Sequence, residues 1–258
     1  MRFFIKLNVI ILCVFLSRIT LAKSGVFFGK ARQIGNGAGW AWVEIDKQGK
    51  PSAIGVTITQ TALSGLPEIP SSKDIDSVEY PLLFPEEVKA LPFTHISLDW
   101  NPYGHIPPGV YDVPHFDIHF YLLTQKERNR ITAKGDDIVK CLKKPAAQYL
   151  PAGYVLPEGT EVPRMGVHWI DPSAPEFNKQ PFTRTFIYGS YNGKIAFFEP
   201  MVTKAFLETK PNDTQTIKLP ASYQKKGYYP SEYSVKYDES RQEYTISLDK
   251  LSFKQKGK

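Results

Sequence analysis

Histidine is scarce in this 258-residue chain, and its five copies are unevenly spread. His105, His115 and His119 fall within fifteen residues, with Asp117 between the last two. His168 follows in Pro163-Arg164-Met165-Gly166-Val167-His168-Trp169, and His95 stands apart beside Thr94. Imidazoles and a carboxylate brought together are the usual ligands of zinc, iron or manganese. The expected metal ligands are therefore His115, Asp117, His119 and His168, with His105 at the pocket mouth. Taken singly, each histidine could instead hydrogen-bond a loop over a β core. Glu199 lies in Phe197-Phe198-Glu199-Pro200-Met201, a carboxylate beside aromatic bulk. Desolvation there would raise its pKa and suit a general acid or base; the plain alternative is an edge glutamate before a strand-ending proline. Asp99, beside Trp100, is a weaker candidate of the same kind. The sequence contains no phosphate loop, no G-x-S-x-G elbow and no cysteine zinc ribbon.

Spacing limits which of these residues can share an ion. If Pro114 to Leu123 is a strand, His115, Asp117, His119 and Tyr121 face one way, and Phe116, Ile118, Phe120 and Leu122 the other. Residues i and i+2 are then ~6.6 Å apart and i and i+4 ~13 Å apart. A regular strand thus allows Asp117 plus one of the two histidines at one ion, not both. A helix would instead let the i, i+4 histidines chelate together, but the glutamate of H-E-x-x-H is missing. Dense alternation of Phe, Ile and Tyr favours the strand.

The elements that must position these groups read as mainly β. Ala38 to Ile45 and Ala53 to Thr61 flank a turn cluster, Asp46 to Pro51, and form a hairpin. Residues 64 to 92 are punctuated by five prolines and read as irregular, with a helical turn at Glu86 to Leu91. Phe93 to Trp100 is a strand, followed by the proline-rich loop 101–109. A small helical insertion spans Gln125 to Lys144, broken near Gly135, and a short strand covers Met165 to Ile170. Asn192-Gly193 suits a type I′ turn; counting outward pairs Tyr191 with Lys194, Tyr188 with Phe197 and Phe186 with Glu199. A last hairpin sets Tyr233, Val235 and Tyr237 against Tyr244, Ile246 and Leu248. With 21 prolines an all-α bundle is excluded. The expectation is one β-rich domain over 23–258: an antiparallel barrel, a cupin-like barrel among its forms, or a sandwich.

The amino terminus has another function. Arg2 and Lys6 precede an apolar run, Leu7 to Leu16, and Thr20-Leu21-Ala22 offers small residues for cleavage after Ala22. Residues 1–22 thus read as a signal peptide, which makes the protein exported, periplasmic or extracellular. Loss of Arg2, Lys6 and Arg18 lowers the net charge from +6 to +3, too little for a nucleic-acid footprint. No later stretch is apolar enough to span a membrane. Cys141 is the one cysteine left, so no intrachain disulfide forms, and its apolar neighbours make it a buried small hydrophobe.

Gly104-His105, Pro114 to Tyr121, Met165 to Trp169 and Glu199-Pro200-Met201 together resemble a family of uncharacterised exported bacterial proteins, over roughly residues 90–208. The resemblance implies export and a shared site. A histidine-bearing strand followed by Pro-x-x-Gly-x-His is also similar, more loosely, to the metal motifs of cupins. Here H-x-D-x-H replaces the cupin H-x-H with its following glutamate. That likeness implies His119 or His115, Asp117 and His168 as ligands. Three functions stay open. One is a divalent-metal protein, enzymatic or not, acting on a small molecule. Another is a β module binding a small ligand or carbohydrate without catalysis. The third is a structural, self-assembling envelope protein. Homo-oligomers are compatible with all three.

Overall fold

In a computed structural model of the chain, residues 24–69, 77–86, 88 and 91–257 are described. The segment expected to be a signal peptide, 1–22, lies outside them, as does half of the helical turn expected at Glu86 to Leu91. The amino-terminal third supplies β1 (Gly25–Phe28), β2 (Arg32–Ile34), β3 (Gly37–Ile45), β4 (Pro51–Thr59), β5 (Val78–Leu83) and β6 (His95–Asn101). After β7 (His115–Tyr121) come two short helices, α1 (Gln125–Arg128) and α2 (Asp137–Cys141), and then β8 (Val167–Trp169), β9 (Arg184–Tyr191) and β10 (Lys194–Thr203). The chain ends with α3 (Lys204–Glu208), β11 (Asn212–Thr216), β12 (Gly227–Tyr229), β13 (Glu232–Asp238), β14 (Glu243–Asp249) and β15 (Ser252–Lys254).

The strands form two antiparallel sheets stacked as a sandwich, with a small β12–β15 pair beside them. One sheet runs β1–β3–β4–β14–β13–β11, with β2 also on β3; the other runs β5–β6–β7–β10–β9–β8. The described strands close no barrel, so of the expected architectures the sandwich is the one found. Alternation explains the stacking. Val43, Ile54, Val56, Ile246 and Val235 from the first sheet meet Ile96, Leu98, Phe116, Ile118, Phe120 and Phe198 from the second in one buried cluster. Across that interface Phe186 and Tyr233 stand 5.3 Å apart. Each such side chain contributes about 1.5–3 kcal/mol of burial. This use of the even-numbered positions of β6, β7 and β10 leaves their odd-numbered positions for the outer face.

Asn192 and Gly193 have φ of 49° and 74°, as a type I′ turn requires, and Tyr191 pairs with Lys194. Farther out the pairing differs from a simple outward count. A bulge between Ile195 and Phe197 inserts one residue, so Tyr188 faces Phe198 and Glu199 faces Ile187. Pro200 does not end the strand either, because β10 runs on to Thr203. Its missing N–H falls in a gap of the β7–β10 ladder, between Phe198↔Phe120 and Met201↔Asp117. Residues 64–92 contain β5, which tolerates Pro81 because it is an edge strand. The helical insertion is shorter than expected: Ala133 and Gly135 adopt φ of 51° and 53° and separate α1 from α2. Cys141 is fully buried against Tyr121, Leu123 and Met165, and burial pushes its thiol up to about 11.

Candidate metal centre

The outer face of the second sheet is buried, yet much of it is polar. His95, Ser97 and Asp99 of β6, His115, Asp117 and His119 of β7, and Glu199 of β10 are each at most 4% exposed. The register explains their proximity: Ser97 pairs with His119, Asp99 with Asp117 and Asn101 with His115. Small apolar clusters close the two ends of this strip. Tyr121, Met165 and Phe197 lie at one end, and Tyr111, Phe182 and Met201 at the other. Buried charged groups are costly unless they are paired or coordinate an ion.

The expected ligands do not gather at one point. They fall into two groups, His105, His115 and Asp117 in one, and His119, His168 and Glu199 in the other. In the first group the Nε2 atoms of His105 and His115 are 3.1 Å apart. Asp117 lies 3.3 Å from the His105 Nε2 through Oδ2 and 3.1 Å from the His115 Nε2 through Oδ1. In the second group Glu199 Oε1 is 3.3 Å from His119 Nε2, and Oε2 is 3.9 Å from His168 Nε2. His105, placed at the pocket mouth by sequence, is the most open member, its side chain 24% exposed. His95 joins neither group; it stacks on Tyr121 with centroids 4.8 Å apart and faces the Thr94 hydroxyl.

The second nitrogen of each grouped histidine is held from behind. His105 Nδ1 lies 2.8 Å from the Ile106 carbonyl, His115 Nδ1 2.6 Å from that of Val113, and His168 Nδ1 3.0 Å from that of Thr160. A carbonyl only accepts, so each of these Nδ1 atoms carries a proton, and a ring that is neutral turns its Nε2 lone pair inward. For His119 the rear partner is Asp99 Oδ2, 3.1 Å from Nδ1. Ser97 donates to the other Asp99 oxygen at 2.5 Å, and Asn101 donates to Asp117 Oδ2 at 2.7 Å. Metal-binding histidines are oriented in this way by an outer shell of carbonyls and carboxylates.

His105 comes from the loop after β6, and His168 from edge strand β8, just after the loop that precedes it. Gly104, at φ 71°, lets the 102–114 loop fold back so that the His105 N–H donates to the Tyr111 carbonyl at 3.1 Å. A Cβ there would meet that same oxygen at 2.1 Å. Gly166, at φ 97°, similarly brings the chain against the Ser190 carbonyl just before His168. Between these loops opens a cleft of about 580 Å³, lined by Asp117, His105, His168 and Glu199 and by apolar Met165, Ile170 and Ile187.

Electrostatics divides the imidazoles. Burial opposes charge on His105, but Asp117 outweighs it and holds the ring at about 9. Burial likewise opposes charge on His119, and Glu199 and Asp99 lift it to about 9. His168 is pulled down to about 4 by burial. Burial pushes Glu199 up to about 8, against the pull of His119. Asp117 is buried too, yet His115 and His105 hold it well below the usual carboxylate range.

A family model described as TTHB210-like, hypothetical protein TTHB210, matches residues 46–100. That segment carries β4 to most of β6, with His95 and Asp99, and stops before every member of the two triads. No curated protein and no solved structure matches the chain. Sequence reasoning underrated Asp99 and passed over Ser97 and Asn101. Their period-two spacing on β6, beside the alternating strand β7, is the signal that could have found all three. The carbonyls of Ile106, Val113 and Thr160 have no side-chain signature at all.

Proposed function

We propose that this protein binds a divalent transition-metal ion, zinc, iron or manganese, through His105, His115 and Asp117, at the floor of a cleft open to a small molecule. The observation that carries this reading is the pair of Nε2 atoms 3.1 Å apart, each with its Nδ1 turned to a carbonyl. Two inward lone pairs beside a carboxylate repel unless a proton or a metal ion lies among them, and a metal ion at neutral pH displaces that proton. Three donors bound at ~2.1 Å in tetrahedral geometry are themselves about 3.4 Å apart, close to the 3.1–3.3 Å seen here. Such a set leaves a fourth position for water or substrate, and an ion bound there supplies Lewis acidity or an activated water. Asn101 steadies Asp117, the Val113 and Ile106 carbonyls fix the two rings, and the apolar cleft wall holds the non-reacting part of a ligand.

The same reading places the protein outside the cytoplasm, on the strength of the basic start, apolar run and Ala22 cleavage site. Among the described residues no helix is long and apolar enough to cross a membrane. The test is thermal unfolding of chelator-stripped protein with and without zinc. Saturation at about 100 times Kd adds about 2.7 kcal/mol to the stability, and His105→Ala is expected to reduce that gain. A wild-type melting curve indifferent to zinc, iron and manganese would refute the reading.

A further inference from the structure

We infer that the cleft takes a second divalent ion, held by His119, His168 and Glu199, so that the chain carries a two-ion centre. This rests on the metal reading of the first triad and extends it. One ion cannot serve both groups, because His115 and His119 are four residues apart on one strand and their parallel side chains leave it ~13 Å apart.

The inner triad has its own reasons to hold a cation. Glu199 Oε2 is buried without a hydrogen-bond partner, and His119 Nε2 faces only the Glu199 Oε1, 3.3 Å away, in a geometry that makes no hydrogen bond; His119 is fully buried and Glu199 is 1% exposed. Leaving such atoms unmet is costly, most of all for charged groups. His168 cannot relieve Glu199 while neutral. Its proton is committed to the Thr160 carbonyl, so its Nε2 is an acceptor, and the Glu199 Oε2 stands 3.9 Å away, too far for a hydrogen bond. Behind His119 the Asp99 carboxylate, itself fixed by the Ser97 hydroxyl, has its Oδ2 3.1 Å from Nδ1, the place a carboxylate takes behind a metal-binding histidine. Glu199 and His168 line the cleft as Asp117 and His105 do, so both ions would face the same bound molecule. On this assignment Glu199 is a ligand and not a general acid or base. An oxygen-rich anionic group, a carboxylate or phosphoryl, is the ligand chemistry that two adjacent cations would share.

The experiment is the zinc stoichiometry of full-length mature protein, stripped with chelator, reloaded and measured by mass spectrometry, with circular dichroism on every sample. The inference expects two zinc per chain in the wild type. His168→Ala, on the cleft wall, and the near-isosteric Glu199→Gln should each retain one, as should His105→Ala. One zinc per chain, lost in His105→Ala and kept in His168→Ala and Glu199→Gln, overturns the second ion and leaves the first. No zinc in a folded wild type overturns both.

Discussion

Histidine chemistry here is decided by what stands behind each ring. A carbonyl at Nδ1 aims Nε2 at the carboxylate, and Asn101 fixes the carboxylate that completes the first triad. Asn101→Ala is therefore expected to weaken zinc binding by about 10–100-fold with the sheet intact; unchanged affinity in a zinc titration would remove Asn101 from the ligand shell. His95 is the contrasting case. Burial, helped by the Arg128 guanidinium, pulls it down to about 4, whereas in the unfolded chain it titrates near 6.5. As pH falls below 6.5 the unfolded chain takes up this proton first, so stability is lost down to about pH 4, by up to about 3 kcal/mol. Urea melts of chelated protein at pH 7 and pH 4.5 should show a smaller loss in His95→Phe than in the wild type. Equal losses would mean that His95 is not held neutral.

Strand β7 sets the site through simple alternation, and that much was legible: His115, Asp117 and His119 share a face, and their spacing already forbids both histidines on one ion. Glu199 was harder to place. The bulge before Phe197 shifts its β9 partner by one residue, and a bulge leaves little trace in hydrophobic pattern. His105 was harder still, because a loop brings it in and loop paths follow backbone conformation. Gly104 is the hinge of that path. Gly104→Ala would set a methyl against the Tyr111 carbonyl at a left-handed φ, while Gly109, at φ 78°, has open space around it. Gly104→Ala is expected to displace His105 and weaken zinc binding at least tenfold. Gly109→Ala should cost only the backbone strain of about 1–2 kcal/mol. Equal zinc affinity in the two variants would show that the loop does not position the ligand.

The sandwich joins distant parts of the chain: β14 pairs with β4, setting Ser247 beside Gly55. Local periodicity found all three hairpins, including Tyr233↔Leu248 and Tyr237↔Tyr244 in the last. It could not choose between closing them into a barrel and stacking them as sheets, because that choice lies in pairings nearly two hundred residues apart. The stacking has a functional result. One face of the second sheet is spent on the core, and the other is left buried under loops, where polar groups must be satisfied by one another or by a cation. The central claim is thus that the cleft holds metal, and its most direct test is elemental analysis of mature protein purified without a metal-affinity tag. At least one zinc, iron or manganese per chain is expected, depleted in His105→Ala. A folded protein that carries none, and takes up none after reconstitution, would contradict it.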